Sequence, residues 1–319
     1  MNAPVLLLPL LLVAQDTAIR TTVPLVPIAT TVTDRKGRYV DGLTESDFVV
    51  YDNGKARAAR MVPADEIQAP ISLVVLVQNS DIAAAVLAKV RKTGSMVQPL
   101  LLGGKGEAAV LAFNEQTEPL QEFTNDPALL EDAFKSVKPS HERASRIFDT
   151  VEVAVRMLGA RSPNARRVIL LISESRDRGS IAKLPDTIAL VQRNNVTVFP
   201  ATFSAYATPF TAKPDDLPTP PGDTNLLDIF TEAGRMGKKN HATRLARSSG
   251  GQHLSFLTLN SLEHVLSHLG EELHNQYMLS FQPASTDAPG FHSIEVEIRN
   301  RKELVVRARA GYWLDAPAP

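Results

Sequence analysis

The sequence predicts an α/β protein, a doubly wound and mostly parallel sheet flanked by helices, with a small β-sandwich formed by its N- and C-terminal segments. The residues from Ile71 to Val77 form an uninterrupted apolar run, which is typical of a parallel strand covered on both faces. Strand-length and helix-length segments then alternate, which indicates right-handed βαβ crossovers. Short strands before and after this region are too few on either side to be stable alone, so we expect them to pair.

Size and composition exclude several classes of protein. The chain has 319 residues, 44% of them hydrophobic and 22% charged, which is ordinary for a folded globular protein. Lys and Arg total 34 against 35 for Asp and Glu, so no net positive field would attract nucleic acid. The absence of cysteine excludes disulfides, thiolate nucleophiles and cysteine-based metal sites.

The first residues have the features of an export signal. An apolar run from Val5 to Val13 precedes Ala14 and a polar stretch, which predicts a signal peptide over residues 1–15. This run is shorter than the roughly 20 apolar residues that a membrane span needs, and no later segment approaches that length. We therefore expect a secreted or periplasmic protein without a membrane span.

Residues 16–68 are predicted to form the N-terminal β segment. Ile28, Thr30 and Val32 alternate with residues that would lie on the other face of a strand. A turn follows at residues 34–37. Thr44 and Asp47 have the spacing of a capping box on a short helical turn. The string Asp52-Asn53-Gly54 is a strong hairpin signal, and residues 63–70 form a first linker.

Residues 69–276 are predicted to form the α/β domain. We expect strands at 71–77, 108–113, 167–172, 196–203 and 252–256. We expect helices at 81–102, 127–137, 148–158, 184–193, 241–247 and 259–274. Residues 207–224 are rich in Pro, Asp and Thr without an apolar period, and indicate a surface excursion.

Residues 277–319 return to β structure and are predicted to pack with the N-terminal segment. Strands are expected at 277–281, 294–298 and 304–310. Glu295 and Glu297 on one strand, and Arg307 and Arg309 on the next, could pair across strands.

The order of elements and four strings resemble the von Willebrand factor type A-related family of acidobacteria. The strings are VTDRKGRYVDGLTESDFVVYDNGK before the domain, RRVILLISESRDRGS at its fourth strand, ATRLARSSGGQHL before its last strand, and EELHNQYMLSFQP leading to VRARAGYW. The likeness covers nearly the whole chain after the signal peptide. It implies a fold of the von Willebrand factor type A kind, which is Rossmann-like, and a binding function without catalysis.

The resemblance also implies a location for a metal ion. Such domains hold a divalent cation at the carboxyl end of the sheet through a DxSxS motif, a Thr from a second loop and an Asp after the fourth strand. The matching positions here are Gln78, Ser80, Ile82, Ser145 and Glu174. Gln78 lacks the carboxylate and Ile82 has no donor atom, so the site is degenerate.

Because Mg²⁺ requires near-octahedral oxygen ligands, we expect no cofactor and no functional metal site. If Mg²⁺ does bind, Ser80, Ser145 and Glu174 are the candidate ligands, and Asp81 could swing inward as a substitute. Without metal, the loops at this end remain an interaction surface, because loops on a rigid sheet are natural binding positions.

Three classes of function remain open. The first is an exported binding or adhesion module for a protein partner of unknown identity and oligomeric state, with or without Mg²⁺. The second is a metallo-hydrolase using His264 and His268 with His274 or Glu271, although no HExxH motif is present. The third is a spacer with no ligand. No G-x-S-x-G elbow occurs, so we expect no catalytic residues and no enzyme.

Overall fold

The computed structural model describes residues 25–62, 69–203, 240–284 and 286–316, so the predicted signal peptide, most of the first linker and the excursion at 207–224 lie outside the described residues. The strands of these ranges, in chain order, are β1 (Val26–Thr33), β2 (Phe48–Asp52), β3 (Lys55–Arg57), β4 (Arg60–Met61), β5 (Ile71–Gln78), β6 (Glu107–Phe113), β7 (Thr117–Thr124), β8 (Arg166–Ser173), β9 (Val196–Thr202), β10 (Leu254–Ser255), β11 (Tyr277–Phe281), β12 (Gly290–Ile298), β13 (Val305–Arg307) and β14 (Gly311–Leu314).

The α-helices of the described ranges all lie between β5 and β11, and a short 3-10 helix, Glu45–Asp47, precedes β2. The α-helices are α1 (Ala84–Val90), α2 (Gly94–Val97), α3 (Pro127–Ser136), α4 (Ile147–Gly159), α5 (Leu184–Arg193), α6 (His241–Ser249) and α7 (Leu259–His274). Among them no helix combines the length and the apolar character needed to cross a membrane.

A six-stranded sheet in the order β10-β9-β8-β5-β6-β7 forms the centre of the α/β part. All of its pairings are parallel except that of β6 with β7, which is antiparallel. The predicted fold class is therefore confirmed.

Both faces of this sheet are covered by helices. Leu73, Val75 and Val77 pack with residues of α1, α2, α3 and α7 on one face, whereas Val74 and Leu76 pack with α4, α5 and α6 on the other. Every residue of β5 is buried, which explains why this strand is apolar on both faces instead of alternating.

The N- and C-terminal strands pair into the predicted sandwich. One sheet has the order β13-β1-β11-β4 and the other β14-β12-β2-β3. Ile28 lies opposite Leu279 in the first sheet and Val50 opposite Val296 in the second, and all four side chains belong to one shared apolar cluster. The hairpin at Asn53-Gly54 is present, and both residues have positive φ.

Two local predictions were wrong, and one strand of the central sheet was missed. Residues 81–102 do not form one helix, because α1 ends before Thr93 and Pro99, which has no N–H, lies in a separate helical turn. Strand β7 was missed because its polar sequence shows no apolar alternation. The charges of the last strands do not pair with each other: Arg307 contacts Glu272 instead.

Arg309 joins the sandwich to the α/β part. It is 7% exposed, and its guanidinium donates to the carbonyls of Gln192 and Gly311 and to Oδ1 of Asn195, at 2.6 to 2.8 Å. Burial lowers the pKa of Arg309 to about 10, which leaves the side chain charged at neutral pH. One buried side chain thus binds two acceptors in the α/β part, Gln192 and Asn195, and one acceptor in the sandwich, Gly311.

Candidate functional site

The candidate site lies at the carboxyl edge of the central sheet, where β5 and β8 end side by side. These strands are parallel neighbours, with Val77 opposite Ile172, so the residues that follow them meet at the same edge. In open α/β sheets this edge is the usual position for ligands. Gln78 ends β5 and Glu174 directly follows β8, and both are buried.

A hydrogen-bonded cluster joins Gln78, Ser80 and Glu174. The side-chain N–H group of Gln78 donates to Ser80 Oγ at 2.7 Å and to Glu174 Oε1 at 3.3 Å. Gln78 Oε1 accepts from the backbone N–H of Glu174 at 2.8 Å. The amide of Gln78 therefore spans the two strand ends, where a carboxylate could only accept hydrogen bonds.

Arg178 provides the positive charge of this cluster. Its NH2 group lies 2.9 Å from Glu174 Oε2, and the carboxylate side chain is 5% exposed against 41% for the arginine. Sequence reasoning missed Arg178. The only signal was an arginine four residues after Glu174, and this spacing indicates a contact in a helix but not in a loop.

The loop that carries Arg178 is fixed to the start of α4. The backbones of Arg178 and Ser145 exchange two hydrogen bonds of 2.9 Å. Asp177 accepts from the backbone N–H of Phe148, and Asp149 accepts from the N–H groups of Ile181 and Ala182. These contacts hold the backbone on both sides of Arg178 in place.

The side chains at the other two predicted positions do not join the cluster. Ser145 is fully buried, and its hydroxyl donates to the carbonyl of Arg176 at 3.3 Å. Ile82 is half-buried and packs against the apolar cluster on one face of the sheet. The structure thus brings three of the five predicted residues together and adds Arg178.

The residues at these positions do not fit a magnesium ion. Mg²⁺ prefers six oxygen ligands in octahedral geometry, with carboxylates supplying negative charge. The five positions include one carboxylate, and its two oxygens contact an amide N–H group and a guanidinium. An added cation would have to displace both donors, and Ile82 would offer it no ligand. Among the described residues, no group of three or more His, Asp or Glu side chains could hold a metal ion.

Three arginines lie on the surface around the cluster. Arg143, Arg176 and Arg178 are all exposed on the loops that follow α3 and β8. Arg143 is only loosely paired, with its Nε 3.9 Å from Asp81 Oδ2. The backbone N–H of Asp81 donates to the carbonyl of Glu142, which keeps Asp81 beside Arg143. The edge therefore presents guanidinium groups to solvent.

The histidines of α7 have different environments. His264 is exposed, whereas the ring of His268 stacks on Tyr39 with centroids 6.1 Å apart. Burial lowers the pKa of His268, which favours the neutral ring. His274 contacts the carbonyl of Leu100. The three side chains therefore have separate contacts.

Comparisons with known proteins give only structural likenesses. No protein-family model and no curated protein matches the chain. The conserved hypothetical protein BatB from Bacteroides thetaiotaomicron aligns at 13% identity over 64% of this chain and 98% of its own, with a TM-score of 0.46. Proximal thread matrix protein 1 from the mussel byssus, with a zinc-occupied MIDAS motif, aligns at 13% identity over 66% of this chain and 47% of its own, also with a TM-score of 0.46.

A third structure is the vWF domain of the type V pili tip protein Mfa5 from Porphyromonas gingivalis. It aligns at 16% identity over 34% of this chain and 39% of its own, with a TM-score of 0.31. At these scores the functions of the three proteins do not transfer. The site must therefore be interpreted from its own contacts.

Proposed function

We propose that this chain is an exported, non-enzymatic, von Willebrand factor type A-related module that binds a protein partner through the carboxyl edge of its sheet without a metal ion. The observation that supports the proposal is the ion pair between Arg178 and Glu174. It places a fixed cationic group of the chain itself at the position where the resemblance implies a metal.

The chemistry of Arg178 favours an acidic partner group. A guanidinium has five N–H donors in a rigid fork that matches carboxylate geometry. One edge of Arg178 is used by Glu174, and 41% of the side chain remains exposed. Since the buried carboxylate holds the fork in place, little side-chain freedom is lost on binding. An Asp or Glu side chain of the partner is the group that this arrangement would accept.

The first test is a thermal melt of residues 16–319 in EDTA and then with added Mg²⁺ or Mn²⁺. We expect equal melting temperatures, because the two oxygens of Glu174 are already bonded within the chain. A resident site with the cation at 100 times its dissociation constant would add about 2.7 kcal/mol to the folded state. A clear upward shift that Glu174→Ala abolishes would contradict metal independence.

The second test measures binding to an immobilised peptide array in EDTA. We expect peptides containing Asp or Glu to be retained, and their Asn or Gln counterparts to be lost. Arg178→Gln should weaken this binding about tenfold, on the scale of one charge-assisted hydrogen-bonded contact.

Arg156→Gln is the matched control for Arg178→Gln. Arg156 also pairs with a glutamate four residues earlier, Glu152, but it lies on α4 and the pair is exposed. This variant should bind acidic peptides as the parent does. Binding that depends on Mg²⁺, equal losses in both variants, or no preference for acidic peptides would each overturn the proposal.

A further inference from the structure

The junction between the sandwich and the α/β part contains a cavity whose lining does not include Gln78, Ser80, Glu174 or Arg178. Its volume is about 330 Å³, and it is bordered by the hairpin after β1, by α6 and α7, and by β13. Small-molecule sites are typically concave and begin near this size. The cavity belongs neither to the Gln78 cluster nor to the apolar core of the sandwich.

The charges around this cavity are mostly positive. Arg35, Lys36 and Arg247 border it, are exposed, and have no ion-pair partner among the described residues. Asp34 also borders it, but its carboxylate accepts from the backbone N–H groups of Lys36 and Arg38 and from the Arg38 side chain. The Asp34 carboxylate is therefore bound by donors of its own turn.

Arg307 forms a fixed part of the cavity wall. Its guanidinium donates to both carboxylate oxygens of Glu272, at 2.7 and 2.8 Å, and to the carbonyl of Gly250 and Oε1 of Gln252. Glu272 is 1% exposed, so the pair is neutral and rigid. The positive field of the cavity thus comes from the three exposed cations at its mouth.

Tyr39 supplies an aromatic ring to the cavity wall. Its hydroxyl is inaccessible to solvent and has no hydrogen-bond partner within the described part of the chain. Burial and the nearby Glu272 carboxylate raise the pKa of Tyr39 well above its usual value, so the hydroxyl stays protonated. Because this hydroxyl is buried, the part of Tyr39 available to a ligand in the cavity is its ring.

The remaining wall is apolar or neutral. The ring of Tyr39 stacks on His268, and Val305 and Ala246 line the space beside them. His253 is bonded to the hydroxyls of Thr202 and Thr243, and burial lowers its pKa to about 4, so it adds no charge at neutral pH. Flat apolar surfaces next to cations suit a ligand that has both a ring and an anionic group.

We infer that this cavity binds a small aromatic carboxylate, with its ring against the ring of Tyr39 and its negative charge facing Arg35, Lys36 and Arg247. The site is independent of the protein-binding edge, and neither requires the other.

Calorimetric titration of residues 16–319 with 2-naphthoate tests the inference, with 2-naphthamide as its uncharged isostere and inorganic phosphate as an anion without a ring. We expect one 2-naphthoate per chain and at least about tenfold weaker binding of both other probes, since tenfold corresponds to 1.4 kcal/mol. Equal affinity for 2-naphthoate and 2-naphthamide, or no binding of 2-naphthoate at millimolar concentration, would overturn it.

Three variants locate the site. Lys36→Gln and Arg247→Gln should each weaken 2-naphthoate about fivefold, whereas Lys55→Gln, an exposed cation on β3, should have no effect. Tyr39→Leu, which removes the ring against which the ligand packs, should weaken it about fivefold. Unchanged affinity in all three cavity variants would show that the anion binds elsewhere and would overturn the assignment.

Discussion

Gly251→Ala should lower the free energy of unfolding by about 3 kcal/mol, the upper end of what overpacking usually costs. A β-carbon at this position would lie 2.0 Å from the carbonyl oxygen of Val198 and 2.9 Å from its carbonyl carbon. Val198 is a buried residue of β9 and pairs with Ile169 of β8. Since both atoms in the clash are backbone, no side-chain rotation can relieve it.

Urea unfolding of the variant and the parent measures this loss. Gly104→Ala is the control, because a β-carbon there would meet no atom within 4 Å. The control should stay within about 0.5 kcal/mol of the parent, as surface substitutions usually do. If Gly251→Ala behaves like the control, then α6 and β9 are not packed as closely as the structure has them.

Arg309→Ala should also cost about 3 kcal/mol, because a buried charged donor is removed and its acceptors lose their partners. The carbonyls of Gln192 and Gly311 and the side chain of Asn195 would all be affected. The loss should reach both units, since Arg309 follows β13 and its acceptors Gln192 and Asn195 lie at the end of α5.

Arg309→Lys separates hydrogen bonding from charge at this position, and Arg299→Ala is the control. Arg309→Lys keeps the charge without the planar fork, and should recover less than half of the loss. Arg299→Ala, at an exposed position after β12, should stay within about 0.5 kcal/mol of the parent. Chemical denaturation followed by the fluorescence of Trp313, whose indole N–H donates to Gln192, reports on this junction directly. A loss below 1 kcal/mol for Arg309→Ala would show that water replaces its contacts.

Much of the fold could be predicted because strong periodic patterns coincide with burial. Helices α5 and α7 and strand β11 begin and end at the predicted residues. In each of them the apolar spacing matches the face that packs against a neighbour. The strands of the sandwich could be matched because neither end of the chain has enough strands to cover its apolar residues alone.

The missed features depend on contacts between distant residues. The sequence from Thr117 to Thr124 has no apolar alternation that would predict β7. This strand forms because it pairs with the buried strand β6. Arg309 looks like a surface charge in an alternating strand. Its burial follows from the position of the end of α5, about 115 residues earlier in the chain, at a separation that local patterns do not report.

The candidate site also has a part that could be predicted from the sequence and a part that could not. The resemblance placed five positions at one edge, and the structure joins Gln78, Ser80 and Glu174 there by hydrogen bonds. Arg178 could not be assigned, because its guanidinium meets Glu174 only through the path of the loop between them. The predicted ligands thus located the edge, and the structure was needed to identify the cation.

The division of the sandwich between the two ends of the chain has a consequence for the order of folding. Ile28 pairs with Leu279, roughly 250 residues later, so this pairing closes a long loop at an entropic cost. During synthesis β1 and β2 leave the ribosome well before β11 and β12, and the sheet from β5 to β10 can assemble first. Until the last strands arrive, the first ones have unpaired edges, which are the sites where a nascent chain is most exposed to aggregation and most in need of a chaperone.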